Sequence, residues 1–300
     1  MRLHLREGQL RSTHDSSDDE THKAMHRGTL RMRPHQVNRA SHEITRDRGS
    51  ILAALHPATP IRTLAGASSM TGLEFICAGE RLEALPMGAL HWPAERLLAV
   101  ADLHLEKGSS YAVNARKLLP RYDTKQTLAL LSTLIEAVQP RTIVCLGDSF
   151  HDRAAVDRLP DAERSEIERL TAATRFVWIA GNHDPAPPPA GWGEIAEEIN
   201  AGPLIFRHEA LFGPADGEVS GHYHPVAALT VRGRGLRRRC FLTDGRRLIL
   251  PAFGAYAGGL NALDPAIAQL FPDDYDALVV GREAVRRLSW RQLRPDPSFR

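Results

Sequence analysis

Three short apolar runs organise the chain: Leu97–Ala101, Thr142–Leu146 and Arg175–Ala180. Each is about five residues long, too short for a typical helix, and reads as a strand buried on both faces. Amphipathic segments separate them. Leu128, Leu131, Leu134, Ile135 and Val138 recur at helical spacing, which predicts a helix packing one face on the sheet. Asp123 is expected to cap it, with Gln126 completing a capping box, and Pro140 to end it. Pro160–Thr171 predicts a second crossover helix, charged on its outer face. Strand and helix alternating in this way specify an α/β fold with parallel central strands.

The flanks follow a different pattern. Leu73–Cys77 and Arg81–Leu85 read as two short edge strands, and His91 as a surface or turn histidine. The long polar stretch from Leu105 to Tyr122 reads as a loop, and long loops in compact domains are usually functional or mobile. Its Lys107, Ser109, Ser110, Arg116, Lys117 and Arg121 either touch phosphate oxygens or form a solvated connector. Beyond the stiff Pro185–Gly191 segment, Leu204–His208 and Glu218–Pro225 predict strands bearing histidines. Hairpins are expected from Val226 to Tyr256, with Asp244-Gly245 as one turn. The Gly-rich stretch Gly254–Asn261 lacks the Lys-Ser/Thr of a Walker phosphate loop. Ala277–Val280 reads as a closing strand.

Composition separates residues 1–70 from the rest. Arg, His, Ser and Asp dominate there without helical or strand period, and half of the fourteen histidines fall before residue 57. This stretch is expected to be a disordered extension, the alternative being a metal- or DNA-binding arm. Met70, where the bias ends, is a candidate true start, which would make the extension a mis-annotation. Residues 71–300 then form the folded domain. The formal charge of +2 demands no nucleic-acid partner by itself. Three scattered cysteines without a CxxC suit a reducing compartment. No apolar run approaches the ~18 residues of a membrane span, and Met1–Glu7 lacks the apolar core of a signal peptide. A cytoplasmic location with no membrane contact is expected.

The candidate chemistry lies at the strand ends, where open α/β sheets place their sites. Asp102 and His104 stand two apart, as do His222 and His224. On extended backbone each pair would face one way. A carboxylate and an imidazole aimed at one point begin a metal site.

In order, these blocks read Asp-x-His, Gly-Asp-x-x-His, Gly-Asn-His-Asp, a lone His, and Gly-His-x-His. The series resembles the calcineurin-like metallophosphoesterases over about residues 73 to 290. Asp102–Ser110, Gly147–Asp152 and Leu250–Asn261 are similar to the ligase-associated DNA damage response endonucleases, the PdeM family. The resemblance implies a four-layer α-β-β-α sandwich and two divalent ions. Asp148 would bridge them, with Asp102, His104 and His224 on the first and Asn182, His208 and His222 on the second. A hydroxide shared by the ions would attack phosphorus in line. His183 would stabilise the transition state or protonate the leaving oxygen, with Asp184 orienting it. His151 would lie near the substrate phosphate, or else hold its own loop. Ligands without thiolate fit manganese, iron or zinc, and family habit suggests Mn²⁺.

The substrate is less defined. Seven arginines, Arg232, Arg234, Arg237, Arg238, Arg239, Arg246 and Arg247, follow the last histidine block. With Lys107 and Ser109, Arg237, Arg238 and Arg239 are candidate substrate contacts that could track a DNA backbone. A charged edge strand resisting aggregation explains the arginines equally well. Three functions stay open: a DNA endonuclease in repair, a small-molecule phosphodiesterase or nucleotide pyrophosphatase, and a non-catalytic subunit of a repair assembly. The resemblance also implies association with a DNA ligase, a helicase and a nuclease.

Overall fold

The computed structural model describes residues 4–5, 72–114, 122–183 and 188–296. Most of the stretch expected to be a disordered extension lies outside them. His4–Leu5 (β1) is described and pairs antiparallel with Glu198–Ala201 (β9).

The first sheet has seven strands in chain order. Leu73–Cys77 (β2), Glu80–Ala84 (β3), Leu90–Trp92 (β4) and Leu97–Val100 (β5) pair antiparallel. Thr142–Leu146 (β6), Arg175–Ile179 (β7) and Glu194–Ala196 (β8) continue in parallel. Three strands therefore precede β5, not two. The third carries His91, whose Nδ1 lies 2.9 Å from Glu83 Oε2 rather than in a turn.

The second sheet has nine strands. Leu204–Arg207 (β10), Glu218–Ser220 (β11) and Arg247–Ile249 (β14) run parallel to one another. Val226–Val231 (β12), Arg234–Thr243 (β13), Asp276–Val280 (β15) and Val285–Ser289 (β16) complete it. The expected closing strand, β15, is internal, because β16 pairs along its outer edge.

Strand alternation builds the layers. Val144, Leu146, Val177 and Ile179 point between the sheets and meet Phe206, Val219, Phe241 and Leu248. Ile143, Cys145, Phe176 and Trp178 point outward onto Asp123–Val138 (α2) and Asp161–Ala173 (α4), with the short Ala155–Arg158 (α3) between them in the chain, through Leu128, Leu131, Leu134, Ile167 and Leu170. Cys240, Leu242 and Val279 cover the far face with Ile267 of Pro265–Ala268 (α5). Helix, sheet, sheet, helix is the expected four-layer sandwich. No helix among the described residues is long and apolar enough to cross a membrane.

Two local expectations are corrected. The stretch after His104 is not all loop: Lys107–Asn114 (α1) is a helix. Asp123 does not cap its own helix, where Tyr122 is the N-cap without a side-chain bond. Its carboxylate instead accepts from Gly108 N at 2.8 Å, near the start of α1. There it satisfies an amide that has no partner within the helix. Thr124 Oγ1 accepts from Glu106 N at 2.8 Å and donates to Glu106 Oε1 at 2.9 Å, so α2 anchors the entry to α1 twice.

Candidate metal centre

The loops after β5, β6 and β7 meet those after β10 and β11 at one end of the sandwich. Hydrogen bonding continues beyond the strands. Asp102 N donates to Gly147 O at 3.2 Å, His104 N to Asp148 O at 2.8 Å, and His151 N to Leu105 O at 3.0 Å. Phe253 N donates to Ala101 O at 2.8 Å and Gly254 N to Asp102 O at 3.2 Å, so the Gly-rich loop backs the first block. Arg239 secures that loop through Ala252 O (2.7 Å) and Phe253 O (3.0 Å).

Asp102, His104, Asp148, His222 and His224 all have left-handed backbone, with φ of 52°, 44°, 44°, 69° and 47°. Strand alternation therefore does not set their direction, as the sequence suggests. Each side chain is turned by a backbone state costing about 1–2 kcal/mol for a residue other than glycine, of the kind that concentrates at functional sites. His222 and His224 consequently diverge into different clusters.

Asp102, His104 and His224 form one cluster, and Asp148, His208 and His222 another, with the donor atoms in each within 4.8 Å of one another. His104 Nε2 and His224 Nε2 lie 3.3 Å apart. In the second cluster His208 Nε2 lies 2.8 Å from Asn182 Oδ1, 3.2 Å from His222 Nδ1 and 3.5 Å from Asp148 Oδ1.

The donor chemistry fits cations. His208 Nδ1 donates to Leu146 O at 2.9 Å, which leaves the Nε2 of a neutral ring as a lone pair facing other acceptors. Asp102 and Asp148 are 0% and 2% exposed, and their ion-pair contacts within 4 Å among the described residues are all imidazoles. Buried carboxylates without a compensating cation are costly. Burial, with His224, Lys107, His151 and His183 nearby, pushes His104 down to about 2, so its ring is neutral and free to ligate. His104 Nδ1 is buried and has no partner among the described residues. Every expected ligand is thus brought to one of two adjacent clusters, with Asn182 joining the second.

Gly147 makes the second cluster possible. It has φ +74°, and a Cβ there would lie 2.5 Å from His208 Cγ and 2.8 Å from His208 Cβ. Only a residue without a side chain lets the ring lie against that backbone.

A row of rings stands beside the clusters. His151 and His183 stack at 5.6 Å and 14°, and Tyr111 and His151 at 6.0 Å and 27°. His104 meets His151 and His183 edge-on at 5.6 and 5.4 Å. His183 N donates to Asp148 Oδ1 at 2.9 Å, its Nε2 lies 4.0 Å from Asp148 Oδ2, and its side chain is 48% exposed. It is therefore tied to the centre by its backbone while its ring stays open to a ligand. Burial, then Lys107 and His183, push His151 down to about 4. Asp184 lies outside the described residues.

The expected substrate contacts separate by environment. Lys107 is half-buried beside His104 and His151, and burial holds its ammonium below the usual value against the pull of Asp123 and Asp148. Ser109 is buried; its hydroxyl donates to Glu106 O (2.9 Å) and accepts from Arg158 Nε (3.0 Å). Arg237 pairs with Asp296 and donates to Gly259 O at 3.2 Å. Arg238 is exposed and donates to Arg237 O at 3.1 Å, whereas Arg239 is occupied by the Gly-rich loop. Arg247 is buried against Glu218 at 2.7 Å, and Arg246 pairs with Asp216 at 2.5 Å. Arg116, Lys117 and Arg121 lie outside the described residues. Tyr111 is missing from the sequence expectations. Its signal is its position four residues after Lys107, meaningful only once that stretch is a helix.

A family model described as calcineurin-like phosphoesterase matches residues 95–250. Nuclease MPE of Pseudomonas putida is 32% identical, with 73% of this chain and 100% of that chain covered and a TM-score of 0.57. YfcE, a phosphoesterase from E. coli, is 14% identical over 64% of this chain and 98% of its own, with a TM-score of 0.33. No curated protein matches the chain.

Proposed function

We propose that this chain, which belongs to the calcineurin-like phosphoesterase family, is a metal-dependent DNA endonuclease acting in DNA repair. Membership makes it a phosphoesterase. The observation supporting a nucleic-acid substrate is its similarity along the whole length of nuclease MPE. Two divalent ions held by the clusters would supply Lewis acidity and a water made nucleophilic near neutral pH. Nitrogen and oxygen donors without thiolate suit manganese, with iron or zinc as alternatives.

The chain's own residues have separable tasks. Asp102, His104 and His224 would hold one ion and Asp148, Asn182, His208 and His222 the other, with Asp148 shared. His183, anchored by its backbone and open at its ring, protonates the leaving oxygen. His151 and Lys107 orient the phosphate from the same side. We further propose a cytoplasmic location and association with a DNA ligase, a helicase and a nuclease, to be tested by pull-down.

A second reading has its own support. Among the seven arginines, Arg237, Arg239, Arg246 and Arg247 are already engaged within the protein. That favours a small phosphodiester or nucleotide pyrophosphate over a long backbone track. The deciding experiment is nicking of supercoiled plasmid by metal-stripped protein after Mn²⁺ is restored, with His183→Ala as the contamination control. Nicking by wild type alone supports the endonuclease. Absence of nicking, with bis(p-nitrophenyl) phosphate still hydrolysed, moves the substrate to small molecules.

A further inference from the structure

The His151 ring is not held by a hydrogen bond at its buried Nδ1 among the described residues. A functional imidazole is normally set by a hydrogen bond at one ring nitrogen. The ring contacts of His151 are Tyr111 and His183 stacked on it and His104 edge-on, with Lys107 nearby.

Tyr111 stands on a braced helix. α1 is held near its start by Asp123 and at Ser109 by Arg158 Nε at 3.0 Å. Arg158 in turn clamps Asp152, the neighbour of His151, through two hydrogen bonds of 2.9 and 2.7 Å. The helix and the His151 loop are therefore fixed to each other by one guanidinium, which sets the distance between the two rings. The contact Tyr111 makes with the site is the face of its ring, stacked on His151.

We propose that Tyr111 is a positioning residue, its phenol ring backing the His151 imidazole and holding it parallel to His183. The inference rests on the role given to His151 above. Removing the ring frees the imidazole to rotate, which lowers turnover without removing a metal ligand or a binding group.

The test measures kcat and KM of the full chain, loaded with Mn²⁺, on bis(p-nitrophenyl) phosphate. Tyr111→Ala is expected to lower kcat about tenfold, the scale a ring contact supports, with KM within about twofold and both ions retained. Tyr111→Phe should restore the wild-type rate. In a His151→Ala background, Tyr111→Ala should cost nothing more. The inference is overturned if Tyr111→Ala turns over at the wild-type rate, if Tyr111→Phe is as slow as Tyr111→Ala, or if the loss persists unchanged in the His151→Ala background. A wild-type rate for His151→Ala itself is a different failure. It removes the role of His151, and the inference with it. If Tyr111→Ala does not fold, Tyr111→Leu and Tyr111→Phe carry the comparison.

Discussion

Replacing Gly147 by alanine tests how the second cluster is built. The new Cβ would sit 2.5 Å from His208 Cγ, with the ring Nδ1 closer still. An ordinary carbon contact is about 3.5 Å, so the ring must retreat by roughly 1 Å. Plausible metal-ligand distances tolerate only about 0.2 Å. The retreat also breaks the Nδ1 bond to Leu146 O, worth about 1 kcal/mol. Alanine at φ +74° adds about 1–2 kcal/mol of backbone strain. Gly233→Ala is the control: its φ is +75°, yet no atom lies within 4 Å of the added carbon. Both variants should melt lower, by about 2–4 °C per kcal/mol. Only Gly147→Ala should fall from two bound Mn²⁺ ions to one after dialysis, measured by elemental analysis, and lose hydrolysis of bis(p-nitrophenyl) phosphate. Two ions bound with equal affinity in both variants would refute the assignment of His208 as a ligand set by this contact.

Asp148→Asn should lose ions by the same elemental analysis, whereas His183→Ala should keep both yet lose about 10²–10⁴-fold in turnover; equal rates for His183→Ala and wild type would remove its catalytic role. Arg247→Met takes the 2.7 Å guanidinium from the buried Glu218 carboxylate and leaves it Arg207 at 3.4 Å; the loss of this charged hydrogen bond should destabilise the fold by about 1.5–3 kcal/mol in urea, and a stability equal to wild type would contradict it. Burial pushes the Cys77 thiol up to about 12 and raises Cys240 as well, so both stay protonated at neutral pH and should react with a thiol reagent only after denaturation. Prompt reaction of the native protein would show that these cores open.

The central strands were legible because burial on both faces leaves no polar position in Ile143–Leu146 or Phe176–Ile179, and the candidate ligands follow where those runs end. The directions of the ligands were not legible. They depend on left-handed turns at aspartate and histidine, which strand periodicity does not report. The α1 helix was hidden for a related reason: Gly108, Ser109 and Ser110 in its first turn are poorer helix formers, and Asp123 and Thr124, more than ten residues downstream, hold its start. The arginine run illustrates the opposite failure. Its charge is plain in sequence, but Arg239 and Arg247 are structural, because the carbonyls and carboxylate they serve come from distant segments.

His104 and His224, which face each other at 3.3 Å, are separated by 120 positions of chain. One of these residues follows a strand of the first sheet and the other a strand of the second. An ion shared by them would therefore be a clasp on the chain's topology as well as a reagent. Closing a loop of about 100 residues by a covalent link withdraws about 4.7 kcal/mol of entropy from the unfolded chain, and metal clips act in the same sense. Such a clasp would act beside the apolar core already shared by the two sheets, tying together segments that the chain itself keeps far apart.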